Sequence, residues 1–284
     1  MTKTANTTTL PELYIEKFQE LTKWRKRSAT DKRSIHELRR CLKDLYACFD
    51  LVTFITHQRS ASQNYYHSFK KLFQSAGMIR EAQVNKSAFE EQAVSGPDAK
   101  DYLRFLKAQK QEGKKRFKKA LKHFDVREAQ RAEKKISTVL KGMNEKLLFE
   151  NCAAYIQAQA GKIDQLLKLD NRSVVLHNIR KRIKSAGIVV RMMHKAQPRK
   201  DHEALLRSIR QTEKYIGQWH DKRVLHNSLK QFIKKKCGED GSVKLGLLKK
   251  HLKKEEEPLR QQLKKRSGET MLFLRSFFGS AQNV

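Results

Sequence analysis

Helix breakers are scarce in this sequence: four prolines and twelve glycines in 284 residues leave long stretches without either. Lys, Arg, Leu, Gln, Glu and Ala dominate those stretches, and all are good helix formers, so an all-α fold is expected. The four cysteines (Cys41, Cys48, Cys152, Cys237) are scattered, with no Cys-x-x-Cys pair and no disulfide-like spacing. That pattern fits a reduced, cytoplasmic compartment. No apolar run approaches the roughly 18 residues of a membrane span. The Thr-rich residues 1–10 lack the apolar stretch of a signal peptide. Carboxylates are scarce as well: 30 Asp+Glu face 62 Lys+Arg, a formal charge of +32. At 38% hydrophobic the chain can still build real cores, so disorder throughout is excluded. The charge calls for a polyanionic partner: nucleic acid, an anionic membrane or another phosphate polymer. By itself it does not choose among them.

What is present is a repeat. Ile35-His36-Glu37-Leu38-Arg39-Arg40-Cys41-Leu42-Lys43 returns as Leu176-His177-Asn178-Ile179-Arg180-Lys181-Arg182-Ile183-Lys184. Tyr14-Ile15 matches Tyr155-Ile156 at the same displacement, and Gly77-Met78-Ile79-Arg80-Glu81 faces Gly217-Gln218-Trp219-His220-Asp221. Three matches, displaced by 141, 141 and 140 residues, indicate a tandem duplication of about 142 residues. The expected organisation is a first helical repeat over 11–124, a linking segment over 125–142, Lys- and Glu-rich and helical in composition, and a second repeat over 143–278. Helices are expected near 11–28, 31–58, 61–76, 79–94 and 98–124, then near 143–169, 172–196, 200–216, 219–236 and 242–278. The breaks fall at Gly77, Ser95-Gly96-Pro97-Asp98, Gln197-Pro198 and Cys237-Gly238-Glu239-Asp240-Gly241. The expected architecture is two four-helix bundles related by a pseudo-twofold axis.

On a helical wheel, Ile35, Leu38, Leu42, Leu45, Phe49 and Val52 share one arc and belong in a core. His36, Arg39, Arg40 and Lys43 stack on a second arc, as do His177, Arg180, Lys181 and Lys184. Arg191 and Lys195 extend the second of these ridges. No Glu interleaves the four residues of either ridge, and like charges at this spacing repel. One basic helix is ordinarily a solvated face. The same ridge twice, each bordering an apolar arc, is instead expected at a binding surface where the repeats meet. Arg offers a planar fork for two phosphate oxygens and Lys a point charge. His36 and His177 can donate to an oxygen, and add charge when protonated.

His-x-x-Arg-[Arg/Lys]-x-[Leu/Ile]-Lys early in a long helix, followed some 40 residues later by Gly-x-x-Arg-Asp-x-x-Val, resembles the CHAD family, the conserved histidine α-helical domain. The resemblance covers nearly the whole chain and implies one such domain over 1–284. It implies a helical protein that binds inorganic polyphosphate in a basic central cavity, often at polyphosphate granules, without catalytic activity of its own; no cofactor or metal is expected. It assigns polyphosphate contacts to His36, Arg39, Arg40, Lys43, His177, Arg180, Lys181 and Lys184. Lys70, Arg80, Arg191 and Arg210 are secondary candidates. The second signature departs from the family pattern, reading Arg80-Glu81 and His220-Asp221.

Two other readings compete. His220-Asp221 resembles the dyad of metal-dependent phosphohydrolases, but such a site needs further ligands and an activated water. No GxxxxGK[ST], HExxH or GxSxG motif occurs. Nucleic-acid binding fits the charge, yet single-strand binders interleave aromatics for base stacking and these ridges hold none. Trp24 and Trp219 read as packing residues. Weak non-specific nucleic-acid binding is expected from charge alone. A membrane partner is disfavoured because both ridge helices commit their apolar faces to a core. The basic runs at 114–119 and 234–236 are read as ligand-steering or solvated.

Overall fold

The computed structural model describes residues 8–28, 32–57, 59–169, 173–236 and 243–276. Among them it holds nine helices and no strand: α1 (Leu10–Arg27), α2 (Lys32–Thr56), α3 (Arg59–Glu90), α4 (Pro97–Lys122), α5 (Val126–Lys141), α6 (Glu145–Leu167), α7 (Ser173–Ala196), α8 (Lys200–Lys236) and α9 (Val243–Ser276). The all-α fold follows from the composition as expected. The break expected at residues 237–241, and the last two residues of the helix expected to reach 278, lie outside the described residues.

Local chemistry sets the helix starts. The backbone N–H of Thr9 donates to the Glu12 carboxylate at 2.8 Å at the head of α1. Asp125 accepts from the N–H groups of Arg127 and Glu128 at 2.8 and 3.1 Å, and Asn144 accepts from Leu147 at 2.8 Å. Each satisfies donors that a helix start leaves open. Gly96 sits at φ 114°, a backbone that side-chain-bearing residues rarely adopt, and Pro97 then opens α4. Ala196 ends α7 just before Gln197-Pro198.

Two expected breaks are absent. α3 runs through Gly77 and α8 runs through Gly217, so the pairs of shorter helices expected there are single helices of 32 and 37 residues. A glycine inside a helix costs only about 1 kcal/mol relative to alanine. Burial of Ala76, Ile79, Ile216 and Trp219 on either side opposes that cost. The segment expected to link the repeats is also more than a tether. It forms α5, which buries Ala129, Ala132, Ile136 and Leu140 and packs on α1 and α2.

The helices fall into two compact units that change over after residues 70, 123, 213 and 265. Each unit draws helices from both sequence repeats. In the first, α1 packs on α2 and α7, α6 packs on α7 and α2, and α2 packs on α7. Tyr14, Leu38, Leu42, Leu45, Ile156, Ile179 and Ile183 are among its buried residues. Of the arc expected to be core, Leu38, Leu42, Leu45, Phe49 and Val52 are buried, while Ile35 is half-buried. Gly187 lets α7 approach α8: a Cβ there would stand 2.9 Å from Ile209 Cγ2.

The second unit centres on Tyr102, Leu106, Leu229, Phe232, Leu245 and Leu252. Its buried Tyr102 hydroxyl donates to Ser228 Oγ at 2.8 Å. Trp219 is buried. Trp24, in the first unit, is half-buried beneath Lys23 and Arg27, at 5.0 and 5.9 Å from its ring.

Candidate functional site

The packing of α2 on α7 brings the two basic ridges into one electrostatic neighbourhood inside the first unit. Lys43 reports it most directly. Burial, and then the charges of Lys184, Arg39 and Arg180, push its ammonium down to about 8, with Glu213 opposing. Lys184 is pushed down by burial; Glu213 pulls it back, and Arg180 and Arg191 push it further down. Arg39, Lys184 and Arg180 thus repel Lys43, and Arg180 and Arg191 repel Lys184, across two helices. Repulsion among half-buried cations is a cost that stability alone would not select.

The other expected residues are less enclosed. His36, Arg40 and Lys181 are exposed on the same two helices, and His177 is half-buried. Lys70 and Arg210 are exposed on α3 and α8 of this unit, and Arg80 is exposed on the α3 segment of the other unit. Arg191, only a secondary candidate from sequence, belongs with the central cluster, acting on both Lys184 and Asp44.

The expectation of ridges untouched by acids is corrected in two places. Arg40 pairs with Glu37 at 3.0 Å, one helical turn earlier on the same helix. Lys184 pairs with Glu213 of α8 at 3.6 Å. The Glu37 contact is an i,i+3 pair that the wheel contains. The Glu213 contact depends on how α8 packs and has no local signature. Asp44 completes the surroundings. Its Oδ2 lies 4.0 Å from Lys17 Nζ, which itself contacts Glu20 at 2.6 Å. Burial raises the Asp44 carboxyl, against the pull of Arg191 and Lys17. Sequence reasoning also passed over Arg182, which donates to Gln159 Oε1 at 3.2 Å.

The chemistry on offer is cationic. Cys41, Cys48 and Cys152 are buried and free, and burial holds their thiols up, Cys152 at about 12, which keeps them from acting as thiolates. His220 Nδ1 lies 3.3 Å from Asp221 Oδ1, in the other unit. Among the described residues no group of three or more His, Cys, Asp or Glu is placed to hold a metal ion. No described helix is long and apolar enough to cross a membrane.

These features define an all-helical protein with cationic side chains concentrated at a helix–helix seam. The chain belongs to the CHAD domain family, which it matches over residues 13–230. No curated protein and no solved structure matches it.

Proposed function

We propose that this protein binds inorganic polyphosphate, without cleaving it, along the paired ridges of α2 and α7. The observation that carries the reading is the convergence of Lys184, Arg39 and Arg180 on Lys43, whose ammonium is pushed down to about 8 by burial first and by those three charges next. Membership of the CHAD family is consistent with that ligand. A polyanion laid along the ridges relieves the repulsion, so part of its binding free energy is stored in the free protein. Arg39, Arg40, Arg180 and Arg191 supply forks for phosphate oxygens; Lys43, Lys181 and Lys184 supply point charges; His36 and His177 supply further donors. The reciprocal contacts of α1 with α7 and of α6 with α2 support a pseudo-twofold arrangement with a basic channel along this seam. Glu37, Asp44 and Glu213, the carboxylates reaching the cluster, stand beside cations. That arrangement suits binding better than activation of a water, and it requires no metal or cofactor. An association with cytoplasmic polyphosphate granules follows from the same reading.

The test is competition at near-physiological salt between long-chain polyphosphate and single-stranded RNA matched for phosphate number. Polyphosphate should win, because stacking aromatics that would favour RNA are absent from the ridges. A folded variant carrying Arg39→Glu, Arg40→Glu, Arg180→Glu and Lys181→Glu should lose that preference. Equal competition in the unaltered protein, or unchanged affinity in the variant, would sink the reading. Phosphate release from polyphosphate with Mg²⁺ or Mn²⁺ would replace it with a hydrolase.

A further inference from the structure

The ridges account for little of the charge, and much of the remainder lies elsewhere. Residues 71–123 and 214–265, the second unit, carry 28 Lys+Arg and 12 Asp+Glu, a net +16 of the chain's +32. Within that unit several of the acids are already paired. Glu90 pairs with Lys86 at 3.5 Å, Asp101 with Arg104 and Glu112 with Arg116 at 2.7 Å each, Glu255 with Lys222 at 2.7 Å, and Glu256 with Arg223 at 3.0 Å. None of these pairs uses a lysine of α4.

Those lysines form a line. Lys100, Lys107, Lys114, Lys118 and Lys122 are all exposed. At 100° per residue they fall within about 80° of arc, and at 1.5 Å per residue they extend over about 33 Å. The opposite side of α4 faces the core through Tyr102, Leu106 and Phe117. Asp101 and Glu112, already paired with arginines, lie off the lysine line. None of the five lysines pairs with an acid among the described residues.

We propose that this face of α4 is a second polyanion surface, distinct from the α2–α7 seam, and that its partner is the phosphate backbone of a nucleic-acid duplex. Three properties select a duplex. A straight row of point charges meets a straight polyanion without either side bending, and a duplex is stiff over distances far beyond 33 Å, whereas a flexible chain pays ordering entropy to lie along it. Arg104 shares the edge of this arc, but its fork is engaged by Asp101 at 2.7 Å, so the face meets phosphate mainly through lysine point charges, which grip the backbone without reading bases. None of the exposed large apolar residues among the described residues, Leu247 and Phe273 included, lies on α4, so that helix offers nothing to insert into a lipid surface. The proposal does not rest on the polyphosphate reading, since it uses other residues in the other unit.

The experiment uses the full chain, a DNA duplex of about two helical turns, and fluorescence anisotropy over a salt series. Lys107→Glu, Lys114→Glu and Lys118→Glu together should weaken duplex binding at least tenfold and leave polyphosphate affinity unchanged within about twofold. The matching Lys→Gln triple guards against a folding artefact and should lower the slope of log affinity against log salt by up to about 2.7. The four-residue ridge variant should retain the α4-dependent duplex binding. The proposal is overturned if both triples bind duplex as the unaltered protein does. It is equally overturned if the triples lose polyphosphate in parallel with duplex, or if anionic phosphatidylserine vesicles are captured through α4 while duplex is not.

Discussion

The Lys184 ammonium lies 3.6 Å from a carboxylate oxygen of Glu213, an ion pair joining α7 to α8. Both side chains are about one third exposed, at 33% and 34%. Glu213 also holds up the charge of Lys43. It therefore acts as a built-in counterion at the centre of the cluster, on the spot an incoming phosphate would use. Pairs this accessible contribute about 0.2–1 kcal/mol. Glu213→Gln should therefore raise polyphosphate affinity by about 1.4- to fivefold. It should also lower stability slightly, because the cations lose their compensation. Titration and thermal unfolding of the same variant read both effects. Weaker binding would mean that Glu213 positions Lys184 instead of competing for it.

Lys43 predicts a pH dependence with a defined sign. Its folded-state value, about 8, lies below its ordinary 10.5. A bound polyanion restores the charge, so binding takes up a proton above pH 8 and affinity falls as pH rises through that value. The fall should reach several-fold, about the contribution of one phosphate contact. Lys43→Met should flatten this dependence, leaving the part due to Lys184, which is shifted in the same direction. The same variant should be more stable than the parent at pH 7, by about 1–2 kcal/mol, because the cost of the buried charge is fully present below pH 8. That advantage should vanish as pH rises toward 10.5, where the parent loses the charge in the folded state first. Melting temperatures at pH 7 and pH 9.5 decide it.

Periodicity made much of this legible beforehand. The ridge and its apolar neighbour share one helix, so a wheel reveals both, and their recurrence at His177 and Arg180 marks the pairing of α2 with α7. Asp125 and Asn144, as helix starts, obey rules that act within three residues. The misses come from longer range. Glu213 reaches Lys184 because of how α8 packs, which no spacing along the chain encodes. Gly77 and Gly217 look like stops in isolation, and burial of their neighbours overrides them. The division into units escaped for the same reason: α3, α8 and α9 each contribute to both.

The glycines provide the sharpest contrast between local and tertiary control. At Gly217 an added Cβ would meet nothing within 4 Å. At Gly187 it would stand 2.9 Å from Ile209 Cγ2, in a stretch of α7 that is buried from Ala186 to Val190. Helix propensity favours alanine at both positions by up to about 1 kcal/mol. Gly217→Ala should therefore stabilise the protein by about 0.5–1 kcal/mol. Gly187→Ala should instead destabilise it by about 1–3 kcal/mol, since Ile209 is branched, buried and unable to withdraw without moving α8. Pairing Gly187→Ala with Ile209→Val leaves both methyls on the β-carbon, and so should recover little. Pairing it with Ile209→Ala removes the clashing methyl and should recover more than the first pair, less the cost of the cavity. Chemical denaturation of the four variants measures each step. Equal effects of alanine at 187 and 217 would show that the α7–α8 approach is looser than the 2.9 Å contact requires.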